Sequence, residues 1–429
     1  MQQLEVDLTG ADPRRGLSVM ARHLIGSEIL KIAGEIRTAV AAGQKIANYT
    51  VGDFAPAQFP IPDKLREAIL KALAAGETNY PPSDGVLRTR EAVRDFYRAQ
   101  LGLDVPIESI VIAGGSRPII YATFRALVEP GDVVVYPVPS WNNNHYCHLT
   151  GARGIQIETE PEHGFMPTLA QLAPLLPTAR LISLNTPLNP TGTMLAADEL
   201  ARISEAVVAE NRRRDAASEK PLYLMFDQVY WMLTFGSARH VTPVHLVPEM
   251  ARYTVFVDGI SKAFAATGVR VGWGVGPKAV IAAMRDILGH VGAWAPRAEQ
   301  VATAELLRDA PAMTAYLARH KGALQARLDR LYQGFEKMAA AGLPVRDIPA
   351  QGAIYLSVQF DLVGKRGLKT NDDVRRYLLD QAGFAAVPFQ AFGLHGENGW
   401  FRLSVGAVSL QEVEESLPRI EAALRKATG

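Results

Sequence analysis

The chain has 429 residues, 48% of them apolar, and its 45 Lys and Arg against 44 Asp and Glu leave a formal charge of +1. That length exceeds what one ordinary core serves, so two domains are expected, and the balanced charge excludes a broad nucleic-acid face or a polybasic membrane surface. A sole cysteine, Cys147, excludes an internal disulfide and fits a reducing cytoplasm, and with no signal-peptide pattern and no apolar run near ~18 residues, neither secretion nor a membrane span is expected.

In chain order, a helix near Ser27–Ala42 comes first. It enters before any sheet begins and is expected to pack with the C-terminal part of the chain. From about residue 110 to 276, short apolar strand candidates follow: Ser109–Ala113, Val133–Tyr136, Leu181–Leu184, Leu222–Phe226, Thr254–Val257 and Val271–Val275. Helical patterns such as Pro118–Val128 and Ala196–Glu210 lie between them. This alternation predicts an α/β fold with a mostly parallel sheet sandwiched by helices. The short, Gly-rich connection from Val257 to Val271 predicts that the last strand runs antiparallel. The charged run from Asn211 to Lys220 reads as a solvated helix end rather than a nucleic-acid patch. A long helical stretch, Gln300–Ala341, is followed by strands near Ala353–Val358 and Phe401–Val405 and a closing helix, Leu410–Ala427, which predicts a smaller α+β domain. The expected division is a segment 1–52 packing with the small domain, a large domain 53–300 and a small domain 301–429.

In such sheets ligands sit beyond the C-terminal strand ends, and the polar residues of interest fall there strand after strand. Gly114-Gly115-Ser116-Arg117-Pro118 joins a strand to a helix whose free N–H groups suit a phosphate, though a plain turn reads the same. Trp141 follows the next strand and can stack on a planar ring or be ordinary core. His145, Cys147 and His148 lack a second cluster at zinc spacing, so no metal is expected. In Asn185-Thr186-Pro187-Leu188-Asn189-Pro190-Thr191-Gly192 two prolines and a glycine stiffen a loop from which Asn189 offers its amide to a ring hydroxyl. Asp227 leaves a wholly apolar strand; it is either a helix N-cap or the partner of a cation such as a protonated pyridine, with Tyr230 placed to bond a phenolate oxygen. Lys262, between apolar strands and Gly-rich turns, is costly to bury unless its depressed pKa makes it a nucleophile toward an aldehyde. Ser261 and Arg270 beside it suit a phosphate, and Arg402, within a late strand, suits a carboxylate or a structural ion pair.

In this order the residues resemble the class I/II aminotransferases of pyridoxal-phosphate (PLP) fold type I. The resemblance runs from about Tyr49 to Val405 and is most specific over Ser261–Gly272, reinforced by Asn189–Gly192 and the Asp227/Tyr230 pair. It implies PLP as cofactor, with Lys262 as the Schiff-base lysine and proton shuttle. It implies that Asp227 pairs with the ring nitrogen, that Asn189 and Tyr230 bond the ring oxygen, and that Trp141 stacks on the ring. Gly115, Ser116, Ser261 and Arg270 would hold the phosphate, Arg402 the substrate α-carboxylate, and Gly52, in Val51-Gly52-Asp53-Phe54, would reach the substrate through its backbone. Tyr80, in Asn79-Tyr80-Pro81-Pro82, matches a tyrosine that reaches the neighbouring subunit's phosphate, which implies a homodimer. Ser116-Arg117 and the run Trp141-Asn142-Asn143-Asn144-His145-Tyr146 depart from the commonest members and leave the substrate open. Arg297 borders the partner's site in relatives; it reads a distal carboxylate or is a structural surface arginine.

The expected activity is transfer of an amino group from an amino acid to a 2-oxo acid, 2-oxoglutarate among them, by a ping-pong cycle. A lyase or decarboxylase on the same scaffold is the alternative. A non-catalytic regulator is a weaker one, since too few residues precede Gly52 for a DNA-binding domain. The glycines of Gly272-Trp273-Gly274-Val275-Gly276 have the wrong spacing and position for a nicotinamide site.

Overall fold

The structure, a computed structural model, describes residues 15–429; the first 14 positions of the proposed N-terminal segment lie outside the described residues. A short helix α1 (Val19–His23) and the longer α2 (Glu28–Ala41) lead into a short strand β1 (Ala47–Asn48). Helices α3 (Asp63–Ala74) and α4 (Leu87–Leu101) follow. Strands and helices then alternate as β2 (Ile110–Ala113), α5 (Ser116–Leu127), β3 (Val133–Val138), α6 (Asn143–Thr150), β4 (Arg153–Glu158), α7 (Leu169–Leu172), β5 (Ala179–Asn185), α8 (Ala197–Ala216), β6 (Tyr223–Asp227), α9 (Pro243–Leu246), β7 (Thr254–Gly259) and β8 (Gly272–Val275).

Strands β2 to β8 form a seven-stranded sheet in the order β2-β8-β7-β6-β5-β3-β4. All neighbours pair in parallel except β8, which is antiparallel to both β7 and β2, as the short connection predicts. Alternate side chains of the central strands enter two cores: Leu224, Phe226 and Phe256 pack on the α4 face, while Met225, Val255 and Val257 pack on the α5 face. Burial on both faces explains why these strands read as unbroken apolar runs.

After α10 (Lys278–Val291) the expected single helix over 300–341 is two, α11 (Arg297–Leu307) and α12 (Ala310–Ala340). The break has a local cause. The Asp309 side chain accepts a hydrogen bond from the Ala312 N–H at 3.1 Å, and Pro311 occupies the first turn, so a new helix starts there. The charged end of α8 also differs from expectation: Arg214 is buried, 2.7 Å from Glu210, and donates to the carbonyls of Leu176, Ala179 and Lys220.

The rest of the chain is β9 (Val345–Ile348), β10 (Tyr355–Phe360), α13 (Asn371–Ala382), β11 (Phe384–Ala385), β12 (Val387–Pro388), β13 (Trp400–Ser404) and α14 (Leu410–Thr428). A four-stranded antiparallel sheet runs β12-β13-β10-β9, covered by Leu328, Leu331 and Phe335 of α12 and by Leu417 and Ile420 of α14. Ile32 and Ile36 of α2 bury against Val387, Phe389 and Trp400, and β1 pairs in parallel with β11. Among the described residues no helix is long and apolar enough to cross a membrane.

Candidate active site

The C-terminal edge of the large sheet gathers the chemistry. β6 ends in Asp227, whose Oδ1 accepts the Val229 N–H at 3.1 Å. Asn185, ending β5, braces it by donating from Nδ2 to the Asp227 carbonyl at 2.9 Å. Asp227 lines a cavity with Trp141, Asn143, Tyr146, Ser183 and Met225. Burial pushes its carboxyl up to about 6, against the pull of the Val229 N–H and of the Lys262 charge.

Lys262 sits in the turn after β7. Its Nζ donates to the Gly52 carbonyl at 2.7 Å, with the rings of Phe54 and Tyr230 5.9 and 5.8 Å away. Burial lowers this amine to about 8; Asp53 opposes the shift, and Arg402, Arg117 and Arg270 add to it. The Tyr230 hydroxyl shares a 2.7 Å hydrogen bond with that of Tyr355, and burial holds Tyr230 well above its ordinary range.

Arg402 comes from β13 of the small sheet and is 1% exposed. It donates from Nη1 to Asn189 Oδ1 at 3.2 Å and from Nη2 to the Thr50 carbonyl at 2.6 Å, and its Nε is buried without a partner. The guanidinium lies 4.8 Å from the Tyr355 ring centre and 4.9 Å from that of Phe392. Among the described residues it has no carboxylate partner. Gly52 leaves little room for a side chain, because a Cβ would come within 3.1 Å of the Tyr355 hydroxyl and 3.3 Å of Arg402 Nη1.

A second cationic group forms around the α5 N-terminus. Arg270 has φ 64°, a left-handed conformation rare outside glycine, and donates to the carbonyls of Thr267 and Gly114 at 2.7 Å each. Gly115 has φ 97°, and a side chain there would run into the Arg270 guanidinium. Ser116 opens the helix, whose first N–H groups have no side-chain cap, and Ser261 is a buried residue of the turn that carries Lys262. Among the described residues no carboxylate pairs with Arg270, and the free N–H groups of the helix start lie beside it.

These features fit PLP. Asp227 is a carboxylate with only a backbone donor, suited to a pyridine N–H⁺. Lys262 is a depressed amine, the α5 turn with Arg270 is a cradle for a dianion, and Trp141 is an aromatic wall. The contacts join Gly52, Asn189, Tyr230, Lys262 and Arg402 in one cluster, with Gly115, Ser116 and Arg270 beside it. Tyr80 stands apart: it is 80% exposed, and its ring meets that of Trp294 at 5.2 Å. Arg297 is engaged by Glu77 at 2.5 Å, which favours the structural reading of that arginine. The sequence assigns no role to Asp53, Asn185 or Tyr355, and marks Arg117 only as a departure from the commonest family members. Asn185 was legible, since it ends β5 as Asp227 ends β6; Tyr355, inside a buried strand, carries no motif. Arg117 places its guanidinium 4.2 Å above the Trp141 ring.

The model of the family "Aminotransferase class I and II" matches residues 45–420. The chain is 30% identical to an aspartate aminotransferase of Rhizobium meliloti, covering 92% of this chain and 93% of that protein. It is 29% identical to a probable aspartate/prephenate aminotransferase of Thermus aquaticus, covering 96% and 100%. Among solved structures, the aspartate aminotransferase from Thermus thermophilus with maleate superposes with a TM-score of 0.85 at 27% identity, over 96% of this chain and 100% of that one. The Rhizobium meliloti enzyme gives 0.86 at 27% identity, over 95% and 98%. With a family match spanning nearly the whole chain and the fold to go with it, this protein belongs to the class I and II aminotransferases, enzymes that work with pyridoxal 5'-phosphate.

Proposed function

We propose that the protein moves the amino group of an amino acid to a 2-oxo acid, with 2-oxoglutarate as acceptor, in two half-reactions of a ping-pong cycle. When bound, PLP supplies an aldehyde that condenses with amines and a protonated ring that withdraws electrons from the substrate Cα. Lys262 would provide the attachment amine for that aldehyde and, once freed by an incoming amino acid, would serve as base and then acid for the Cα proton. Gly52 steadies that amine through its carbonyl. Asp227 keeps the ring nitrogen protonated. Tyr230 and the Asn189 amide donate to the ring oxygen; Asn189 turns its Oδ1 to Arg402, which leaves Nδ2 free to donate. Arg402 grips the α-carboxylate through its forked N–H groups and so aims the Cα–H bond. Gly115, Ser116, Ser261 and Arg270 hold the phosphate, and Trp141 covers the ring.

Tyr80, exposed on the surface, is read as completing the phosphate site of a second copy in a homodimer. The domain division at residues 52 and 300 and a cytoplasmic setting complete the reading.

The observation that carries it is the pairing of a buried, carboxylate-free Arg402 with a Lys262 amine lowered to about 8 in one cluster. Lys262→Ala tests it: the variant loses the near-visible absorbance of the loaded enzyme and transamination with it. Turnover at the parent rate contradicts the reading.

A further inference from the structure

On the α4 face of the large sheet, behind the site, lies a buried polar hub that the mechanism above does not use. Its centre is the Tyr97 hydroxyl of α4, which donates to Asp258 Oδ2 at 3.1 Å and accepts from Gln228 Nε2 at 3.1 Å and Trp273 Nε1 at 3.2 Å. Asp258 Oδ2 also accepts from Trp231 Nε1 at 2.9 Å, and its Oδ1 accepts from the Gly259 N–H at 2.7 Å. His240 Nε2 meets Gln228 Oε1 at 3.2 Å. Tyr97, Gln228, Asp258 and Trp273 are each at most 1% exposed. Buried polar groups this well paired fix the spacing of the elements that carry them, because losing one partner strands the others.

The elements concerned are those that carry the site. Gln228 directly follows Asp227, and the two face opposite sides: Asp227 lines the cavity with Met225 on the α5 face, while Gln228 turns toward α4. Asp258 is the penultimate residue of β7, four residues before Lys262, and its carbonyl accepts from Ser116 Oγ at 3.2 Å. Trp273 is the β8 residue directly across from Asp258, three residues after Arg270. One phenol oxygen therefore ties the strand end of Asp227, the turn of Lys262 and the strand start beside Arg270.

We propose that Tyr97 is a positioning residue of the reaction: through Gln228, Asp258 and Trp273 its hydroxyl sets the distances among Asp227, Lys262 and Arg270. The proposal rests on the roles assigned above to those three residues. The test is Tyr97→Phe, which removes the oxygen and keeps the ring. Titrating apo-protein with PLP, and then following the pH dependence of the bound cofactor's near-visible absorbance, reads the geometry without substrate. The expected result is PLP affinity weakened by about ten- to a hundredfold, the scale of a sub-ångström to 1 Å misplacement, together with a displaced absorbance midpoint. A variant with a lower melting temperature but parental PLP affinity and midpoint overturns the proposal and leaves a purely structural tie. If Tyr97→Phe does not fold, Trp231→Phe deletes a single donor to Asp258 from a half-buried ring and is judged by the same two readings. Failure here with Lys262→Ala inactive removes only the hub; an active Lys262→Ala removes the mechanism itself.

Discussion

A guanidinium that is 1% exposed and faces an amide oxygen, a backbone carbonyl and two aromatic rings has given up its hydration for neutral partners. Such a charge is costly until a carboxylate arrives, which is the state a substrate provides. Arg402→Gln is expected to lower kcat/KM for an α-amino acid by about 100-fold, the value of a charged hydrogen-bonded contact, and to leave reaction with an amine lacking the α-carboxylate unchanged. Equal losses on both substrates contradict that role. Lys262 gives a second residue-scale result. Its amine, ordinarily near 10.5, is lowered to about 8 by burial, so the folded apo-protein presents a neutral nucleophile from that pH upward. The rate at which apo-protein takes up PLP is expected to climb through about pH 8. Asp53 pulls the amine in the opposite direction, so Asp53→Asn moves the midpoint lower; a midpoint that stays or rises contradicts the assignment.

At the scale of elements, β9 carries a carboxylate it does not need. Both oxygens of Asp347 are buried with no cationic or N–H donor among the described residues, and the Glu336 carboxyl of α12 faces them. Burial first, then Glu336, pushes Asp347 from 3.8 up to about 8. The folded state thus holds this proton more tightly than the unfolded chain, and stability is lost as pH rises between those values. Asp347→Asn should change the melting temperature little near pH 4 and raise it progressively toward pH 8; a uniform gain across that range contradicts the linkage. The same scale shows what the sequence made legible. β5, β6 and β7 are buried on both faces, so each reads as an apolar run, and polar residues at or a few positions past its exit, Asn189, Asp227 and Lys262, read as site candidates. β4, an edge strand with polar, exposed residues such as Arg153 and Glu158, carries no such run and was missed. The start of α12 was signalled by Asp309 and Pro311, yet the helical periodicity on both sides masked it. Gln228, Asp258 and Tyr97 were invisible because their meaning lies in one shared oxygen, not in spacing along the chain.

For the molecule as a whole, the site belongs to neither sheet alone. Asp227 and Lys262 come from the large sheet, while Arg402 and Tyr355 come from the small one, so under the proposed roles cofactor and substrate contacts rest on different cores. Tyr80 is 80% exposed, as its proposed role toward a second copy requires. If it serves the partner's phosphate, mixing Lys262→Ala with Tyr80→Ala under subunit exchange creates one intact site per heterodimer and restores activity at limiting PLP. Activity no greater than the sum of the two variants contradicts a shared site. The central claim is tested most directly by reducing the PLP-loaded enzyme with borohydride and mapping its peptides. The account predicts the pyridoxyl label on the peptide carrying Lys262, in one place per chain; a label on another lysine, or none, contradicts it.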